Sequence, residues 1–484
     1  MKRMFLITLL ISQGIIFAQN ESNFKIYESP VYKDKVKTDS VRATYTSNAG
    51  KTGVIRNDKK EIVFDLFDEG FSNIHSKLVE TDRKETYIGD VFHSNEINVF
   101  TETFPDNDVK VLTSYVFNLE DKTNKKIELS STTMDKKLSL PSNEKGAKFS
   151  MSPDLNFFSI TNYTIHRDEI FYHVSVFDSK TYELIYDQQI TRNENKFYSL
   201  FEIQIDNDKN VFLLGESFYV EESPKLKSEK NRHFIIEKIN KAGHSKLELN
   251  LEGKYIKSLK AVTVANEYNL YGFYSDSGLN AIKGVCNILI NMEKFEIINK
   301  NLQDLPSQVY ADLFGTEKVD EKKGKELFEF KIDYILNDEQ DNVYLTAEQF
   351  YITEKNNMKI KHYGEILIIK FNQNGKLDWG SSILKYDYKP SYNAFVKDNE
   401  LHIILNSGKK LKELNDGRTI TSQGLFETSA LYDFVYDNNG VGQINKIQNN
   451  KKKTYYLPNY GNFVNGKFIM ISDSRNERQF MTLE

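Results

Sequence analysis

The stretch that decides the fold runs from Phe328-Glu-Phe-Lys-Ile-Asp-Tyr-Ile335 through Asp341-Asn-Val-Tyr-Leu-Thr346 to Ile366-Leu-Ile-Ile-Lys-Phe-Asn-Gln-Asn-Gly-Lys-Leu-Asp-Trp379. Its apolar runs are rich in aromatic and β-branched residues, which suit a pleated, half-buried strand. In the last part Asn-Gly separates two apolar runs, and this predicts a hairpin because Gly takes a positive φ at little cost. The stretch therefore predicts four consecutive antiparallel strands, the content of one β-propeller blade.

The same pattern recurs along the chain. A polar turn with Asn or Asp precedes an aromatic-rich strand, and successive copies lie about 50 to 75 residues apart, a period typical of repeat architectures. We therefore predict an all-β protein with one β-propeller domain over residues 19–484, built from about seven four-stranded antiparallel blades, with six or eight as alternatives. The further copies are Asn95-Glu-Ile-Asn-Val-Phe100, Asp154-Leu-Asn-Phe-Phe-Ser159, Asp208-Lys-Asn-Val-Phe-Leu-Leu-Gly215, Glu267-Tyr-Asn-Leu-Tyr-Gly272, Asp398-Asn-Glu-Leu-His-Ile-Ile404 and Asn465-Gly-Lys-Phe-Ile-Met-Ile471.

The last copy is cut short. After it only Gln479-Phe-Met-Thr-Leu-Glu484 follows, which is enough for a third strand but not for a fourth. Near the N-terminus, Gly53-Val-Ile-Arg-Asn-Asp-Lys-Lys-Glu-Ile-Val-Phe-Asp-Leu-Phe67 has the pattern of a strand, a turn and a strand. We predict that this segment completes a blade shared between the two chain ends, so that N- and C-terminal strands close the ring and remove a free sheet edge.

A family resemblance follows from these patterns. Ser152-Pro-Asp-Leu-Asn156, followed by a strand and by Val176-Phe-Asp-Ser-Lys-Thr181, resembles the blade pattern of WD40-like and TolB-like propellers. The later units, especially residues 364–380, resemble exported propeller proteins of unknown function from Bacteroidetes-type bacteria. The resemblance covers most of residues 88–484 and transfers no site residue. It implies, by analogy, a subunit of an outer-membrane secretion, motility or uptake assembly.

Four long polar insertions interrupt the units at equivalent places. Those at residues 221–232, 353–362 and 407–427 separate the second and third strands of their blades, and the one at 303–326 separates two blades. In an up-down-up-down blade these connections emerge at one end. We therefore expect all four on one face of the disc, where insertions commonly mark a binding face.

Three aromatic residues are the candidate partner-binding residues. Phe350, Tyr351 and Tyr363 flank the 353–362 insertion, where rigid aromatic side chains would serve as anchors for a protein or glycan. The alternative is that the insertions are solvated loops whose aromatic residues only extend their strands.

The first 18 residues predict a secretory signal peptide. Lys2 and Arg3 are followed by a mostly apolar run to Phe17 and by the small residue Ala18. That run, about 14 residues long, is shorter than the ~20 residues that a membrane span needs. A buried N-terminal helix or an uncleaved anchor is the alternative. The signal pattern predicts an exported protein of the periplasm or outer cell surface. No later apolar run reaches about 18 residues, so we expect no transmembrane segment in the mature chain.

Composition excludes some classes of function and structure. The formal net charge of −5 is small for 484 residues, which argues against a general nucleic-acid binder because such proteins need a basic surface. A single cysteine, Cys286, rules out an internal disulfide. It lies in an apolar, strand-like run, which predicts a core side chain.

No linear motif for catalysis, a cofactor or a metal is found. The eight His residues occur singly, and His166 and His173, the closest to a pair, flank a turn at opposite ends of a hairpin. Asp206-Asn-Asp-Lys-Asn210 resembles a calcium loop, but Val211 and Ser217 replace the Gly and Glu that an EF-hand requires, so we predict a plain turn. Carboxylates assembled from different blades would leave no linear motif, so enzymatic activity stays open.

These observations favour a non-enzymatic binding or scaffold protein of the cell envelope, which binds a protein partner through one loop-decorated propeller face. The alternatives are a propeller enzyme acting on glycans or phosphate esters in the central channel, and a carbohydrate-binding protein. Clustered carboxylates, Arg or His at the mouth of the channel would favour the enzyme, a channel lined by neutral residues would favour the scaffold, and exposed coplanar aromatic rings on the insertion face would favour carbohydrate binding.

Overall fold

Eight four-stranded antiparallel sheets follow one another along the part of the chain that the computed structural model describes. Each sheet is a propeller blade, so the predicted all-β propeller is confirmed, and eight lies within the predicted range of six to eight. The described residues are 19–21, 23–34, 40–58, 61–82, 85–106, 108–133, 147–166, 169–191, 196–219, 232–264, 267–277, 281–355, 358–388, 391–422, 424–451, 454–473 and 477–484. The predicted signal peptide, residues 1–18, lies outside them.

The strands of each blade pair in chain order, from first to fourth. Blades 1 to 3 are Ser40–Thr46, Thr52–Asp58, Glu61–Phe67, Asn73–Glu80; Thr86–His93, Glu96–Thr103, Val109–Asn118, Asn124–Thr133; and Lys148–Met151, Phe157–His166, Glu169–Asp178, Leu184–Thr191. Blades 4 to 6 are Lys196–Ile205, Val211–Tyr219, Arg232–Asn240, Gly243–Leu249; Tyr255–Val264, Glu267–Ser275, Gly284–Asn291, Glu296–Asp304; and Phe330–Asn337, Val343–Lys355, Met358–Phe371, Leu377–Ile383.

The last two blades include strands from the N-terminus. Blade 7 is Tyr392–Lys397, Glu400–Gly408, Ser429–Tyr436 and Gly442–Asn449, with Gln19–Glu21 added in parallel as a fifth strand. Blade 8 is Tyr455–Tyr456 with Asn462–Val464, then Lys467–Asp473, Phe480–Leu483 and Ile26–Glu28. Short pairs join Tyr32–Lys33 to Glu477–Arg478, Ala281–Ile282 to Leu327–Phe328, and Lys412–Glu413 to Thr419–Ile420. Helices α1, Ser307–Phe314, and α2, Val319–Lys322, are joined by the 3-10 turn Thr316–Lys318, and further 3-10 turns are Phe426–Thr428 and Pro458–Tyr460.

The hydrophobic core lies in the seams between consecutive blades. In the second strand of blade 4, Val211 and Leu213 pack toward blade 3, whereas Phe212 and Leu214 pack toward blade 5. Because side chains alternate along a strand, both faces of a blade are buried, which explains the continuous apolar runs of the sequence. Among the described residues each of the eight seams, including the one between blades 8 and 1, contains such a cluster.

The first strand of each blade lies nearest the axis of the ring. First strands of consecutive blades from blade 2 to blade 7 contact one another. Fourth strands such as Asn73–Glu80 and Asn124–Thr133 lie at the rim, where many of their side chains are exposed. The first strands therefore surround a central channel, as in other propellers.

Strands from both chain ends close the ring, as predicted, but the N-terminal strand is not the expected one. Ile26–Glu28 pairs with Phe480–Leu483 and supplies the fourth strand of blade 8. The segment from Gly53 to Phe67, which we assigned to the shared blade, lies entirely within blade 1. Its flanking strands, Ser40–Thr46 and Asn73–Glu80, lack the long aromatic and aliphatic runs that identify the others, and the sequence pattern therefore missed them.

A buried network of charges reinforces the closure. Arg56 Nε and Nη2 donate to Asp65 Oδ2 at 2.9 and 2.6 Å, and Arg56 Nη1 donates to Asp34 Oδ2 at 3.2 Å. Arg478 Nε donates to both Asp34 oxygens, at 3.1 and 3.0 Å. All four side chains are at most 3% exposed. The network joins the N-terminal segment to blade 1 and to the C-terminal end of blade 8.

The predicted plain turn at Asp206 is confirmed. Asp206 Oδ1 accepts the backbone N–H groups of Asp208 and Asn210, at 2.9 and 2.8 Å. Asp338 makes the same bonds to Gln340 and Asn342 in blade 6. The recurring Asn/Asp pattern thus reflects side chains that stabilise tight turns between strands. No helix in the described ranges is long and apolar enough to cross a membrane.

Candidate binding face

Two kinds of connection give the disc two different faces. First-to-second and third-to-fourth strand connections are mostly short turns on one face, here called the turn face. Second-to-third connections and those between blades emerge on the opposite side, here called the insertion face. The strand order places the insertions 303–326, 353–362 and 407–427 on the insertion face; residues 221–231 of the fourth lie outside the described residues. Two insertions touch, because Arg418 Nη1 donates to the carbonyl oxygens of Asp312 and Leu313, at 3.3 and 2.5 Å.

The 303–326 insertion, predicted only as a polar loop, contains helices α1 and α2. Val309 and Tyr310 of α1 are fully buried in the seam between blades 5 and 6. Asp312 Oδ2 accepts from Ser381 Oγ and from Ser382 N, at 2.7 and 2.9 Å, which fixes α1 to blade 6. The apolar spacing of residues 309, 310, 313 and 314 after Pro306 was the available helical signal.

The predicted partner-binding residues lie at the base of the hairpin in blade 6. The Phe350 and Tyr363 ring centroids are 5.1 Å apart, and Tyr351 stacks on His362 at 4.6 Å with an interplanar angle of 11°. The three predicted residues are partly buried against neighbouring side chains. Ile352 and Met358, toward the tip, are 50% and 64% exposed.

Two further tyrosines, which were not among the predicted partner-binding residues, join this group. Tyr386 and Tyr388 lie in the connection between blades 6 and 7, and their rings pack against His362, each with a centroid distance of 5.7 Å. His362 is held by Thr353 Oγ1 at 2.6 Å and Tyr386 Oη at 2.8 Å. We call Phe350, Tyr351, His362, Tyr363, Tyr386 and Tyr388 the aromatic patch. Its rings include inclined pairs, such as Tyr386–Tyr388 at 74°, and do not form the coplanar platform expected of a carbohydrate module.

Next to the aromatic patch is a pocket of about 330 Å³, here called the seam pocket. It lies at the insertion-face end of the seam between blades 5 and 6, between the α1–α2 segment and the strands of blade 6. Apolar side chains provide most of its surface, and Phe328 at its edge is 55% exposed. It is lined by Tyr310, Leu313, Phe314, Lys322, Lys325, Glu326, Leu327, Phe328, Phe330, Gln349 and Glu365.

Charged side chains line the central channel. The first strands of blades 3, 5 and 6 carry Lys148, Lys260 and Lys331, and Glu202 lies in blade 4 with an oxygen 4.0 Å from the Lys260 nitrogen. Burial lowers the pKa of Lys148, and the Lys260 and Lys331 ammonium groups lower it further. Lys148 and Lys331 lie on the first strands of blades 3 and 6, which are not neighbours and which both border the channel.

A second charged group lies at the seam between blades 6 and 7. Lys385 Nζ donates to Glu348 Oε1 at 2.5 Å, and both side chains are almost fully buried. Burial raises the pKa of Glu348 to about 7, although the Lys385 ammonium group opposes the shift. Asp333 nearby accepts a hydrogen bond from Tyr392 Oη at 2.9 Å. The groups named around the channel are lysines and acidic side chains, so neutral residues alone do not line it.

His173 and Cys286, the remaining described candidates for chemistry, are held or buried within their blades. His173 contacts Thr164 Oγ1 at 2.9 Å and Asp187 Oδ2 at 3.2 Å, while the side chain of His166 lies outside the described residues. Cys286 is fully buried, which raises its thiol pKa to about 12. Within the described ranges no group of three or more His, Cys, Asp or Glu side chains is arranged to hold a metal ion.

The chain is similar to several solved structures at low sequence identity. No family model matches the chain, and no curated protein matches it. The Pyrococcus horikoshii acylaminoacyl peptidase is 12% identical with a TM-score of 0.40; the match covers 80% of this chain and 49% of that one, so the chain spans about half its length. The β-propeller domain of the Trilobed protease from Pyrococcus furiosus is 12% identical with a TM-score of 0.41, and the match covers 85% of this chain and 98% of that one. The Dos1 propeller is 9% identical with a TM-score of 0.43, and the match covers 94% of this chain and 95% of that one.

Proposed function

We propose that this protein binds a protein partner of the bacterial cell envelope through its insertion face, acting as a binding or scaffold protein. The observation that carries the proposal is a set of five exposed apolar side chains on that face, beside the aromatic patch and the seam pocket. Exposed apolar groups of this kind mark protein–protein contact sites when they form a contiguous area. They are Phe328, Ile352, Met358, Tyr388 and Leu425, each 49–65% exposed.

The cellular setting is part of the proposal. The N-terminal signal pattern supports export to the periplasm or the outer surface, and the family resemblance supports a subunit of an outer-membrane assembly. A rigid ring suits such a role because its seams are filled with buried apolar residues, so a partner can dock without ordering the scaffold.

Replacing the 353–362 hairpin by a short Gly-Ser turn tests the proposal. We expect the variant to stay folded and to lose the partner that the wild-type protein recovers from native envelopes after cross-linking. A control variant, Leu184→Ala, changes a residue that follows a turn-face connection and is 55% exposed. Equal partner recovery by the hairpin variant and by the wild type would count against the insertion face.

An enzyme acting in the channel is the second candidate, favoured by one observation. The channel and its adjoining seam contain Lys, Glu and Asp side chains with shifted pKa values, and such groups are concentrated at active sites. They also have a structural explanation, since Glu348 with Lys385 and Glu202 with Lys260 are pairs of opposite charge. Hydrolysis of a glycan or phosphate ester that Glu348→Gln abolishes would support this candidate, and full activity of the variant would exclude Glu348 from it.

A further inference from the structure

The seam pocket has a composition that selects for one kind of side chain. Tyr310 and Phe314 of α1 form one wall, and Phe330 of blade 6 with Phe328 just before it form another. The hydroxyl of Tyr310 is already used, since it donates to the Lys325 carbonyl oxygen at 2.8 Å. The four rings therefore offer apolar faces and edges, which favour a further aromatic ring over an aliphatic group of similar size.

One hydrogen-bond acceptor stands among these rings. Glu365 lines the pocket on the third strand of blade 6. Among the described residues no hydrogen bond from another residue to its carboxylate is found, and burial raises its pKa, an effect that the Lys385 ammonium group opposes. Its neighbour Gln349 is engaged, because Gln349 Nε2 donates to the Phe328 carbonyl oxygen at 3.3 Å. Glu365 thus has capacity to accept from a group that enters the pocket.

The charges at the rim do not favour a cationic occupant. Lys322 and Lys325 line the outer side of the pocket, and Lys322 Nζ lies 5.8 Å from the Phe314 ring centroid. Glu321 pairs with both lysines, at 3.0 and 3.6 Å. Glu326 is occupied by Ser275 and its neighbours, with Ser275 Oγ donating at 2.6 Å. A neutral aromatic group with a donor at its far end fits this arrangement better than an ammonium or guanidinium group.

We propose that the seam pocket binds one aromatic side chain carrying a hydrogen-bond donor, Trp or Tyr, presented by the protein partner, with Glu365 accepting from that donor. This inference rests on the proposed function and names the anchor by which the partner is held. The pocket volume, about 330 Å³, is at the lower end of the range for small-ligand sites and accommodates a single large side chain.

The test uses N-acetyl amides of Trp, Tyr, Phe and Leu as probes, titrated into the full-length protein and followed by NMR or calorimetry. We expect Trp and Tyr amides to bind, and the Leu amide to bind about tenfold more weakly, as one hydrogen bond and aromatic packing together would produce. Phe328→Ala should remove binding of all four probes. Glu365→Met should abolish the difference between the Tyr and Phe amides.

Leu184→Ala is the matched control, because Leu184 and Phe328 are each 55% exposed. It should bind the probes as the wild type does, and circular dichroism of each variant verifies folding. Absence of binding at the solubility limit, or equal affinity for the Leu and Trp amides, would overturn the inference. If the hairpin variant loses the partner but no probe binds, only the pocket assignment is overturned. If the hairpin variant recovers the partner as the wild type does, the result counts against the proposed function itself.

Discussion

Arg56 provides the sharpest prediction about stability. Its guanidinium group is fully buried and donates to Asp65 and Asp34, while Arg478 also donates to Asp34. Arg56→Met keeps most of the side-chain volume but removes the charge. Asp65 then loses its buried counter-ion, whereas Asp34 keeps Arg478.

The size of the effect follows from burial. Removing one partner of a buried ion pair costs about 3–5 kcal/mol, because the remaining charge has neither water nor a counter-ion. Removing an exposed pair costs about 0–1 kcal/mol. Lys51→Met supplies that comparison from the same blade, since Lys51 and its partner Glu120 are 26% and 41% exposed. We therefore expect Arg56→Met to destabilise the protein far more than Lys51→Met.

Urea unfolding followed by far-ultraviolet circular dichroism measures the difference. A double variant, Arg56→Met with Asp65→Leu, removes the orphaned carboxylate and should recover part of the loss, because an apolar pair of similar size can replace a buried ion pair. The reasoning is refuted if Arg56→Met lowers the unfolding free energy no more than Lys51→Met does. It is also refuted if the double variant is less stable than Arg56→Met alone.

Three further predictions concern single positions. A Cβ at Gly272 would overlap the backbone carbonyl oxygen of Ser258, so Gly272→Ala should lower the unfolding free energy by about 1–3 kcal/mol. Gly243→Ala is the control, because no atom lies within 4 Å of its Cβ, and it should leave the unfolding free energy unchanged. Urea unfolding compares the two variants. Folding raises the pKa of Glu348 to about 7, so between about pH 4.5 and 7 the folded protein holds a proton that the unfolded chain releases. The stabilising contribution of this group is therefore lost as pH rises through that window. The wild type should therefore lose stability relative to Glu348→Gln from pH 5 to pH 7.5, and an identical pH profile would contradict this. The Cys286 thiol should react with a thiol reagent only after unfolding, and rapid labelling of native protein would show that its strand is accessible.

The sequence pattern was sufficient for the features that each blade repeats. Alternating apolar residues and Asn/Asp turns occur within short segments, so the four-stranded units and the position of the three described insertions between strands followed from local sequence. The burial of Cys286 followed from its place in an apolar run. Phe350, Tyr351 and Tyr363 lie where the sequence placed them, at the base of the blade 6 hairpin, and their role in partner binding stays a prediction.

Features that depend on several blades were not accessible from local sequence. The closing strand Ile26–Glu28 has three residues, too few for a pattern, and its pairing partner lies at the other end of the chain. The seam pocket joins Tyr310 of an insertion to Glu365 of a blade strand, and the channel brings Lys148 near Lys331 from non-adjacent blades. These contacts are set by the curvature of the closed ring, which no single segment encodes.

Site-specific photo-cross-linking in native envelopes tests the central claim most directly. A photoreactive amino acid is placed at Met358 on the insertion face, and in a second variant at Leu184 near the turn face, where exposures of 64% and 55% make the two positions comparable. We predict a single covalent adduct with one envelope protein from Met358 and none with that protein from Leu184. The same adduct from both positions, or from Leu184 alone, would contradict partner binding through the insertion face.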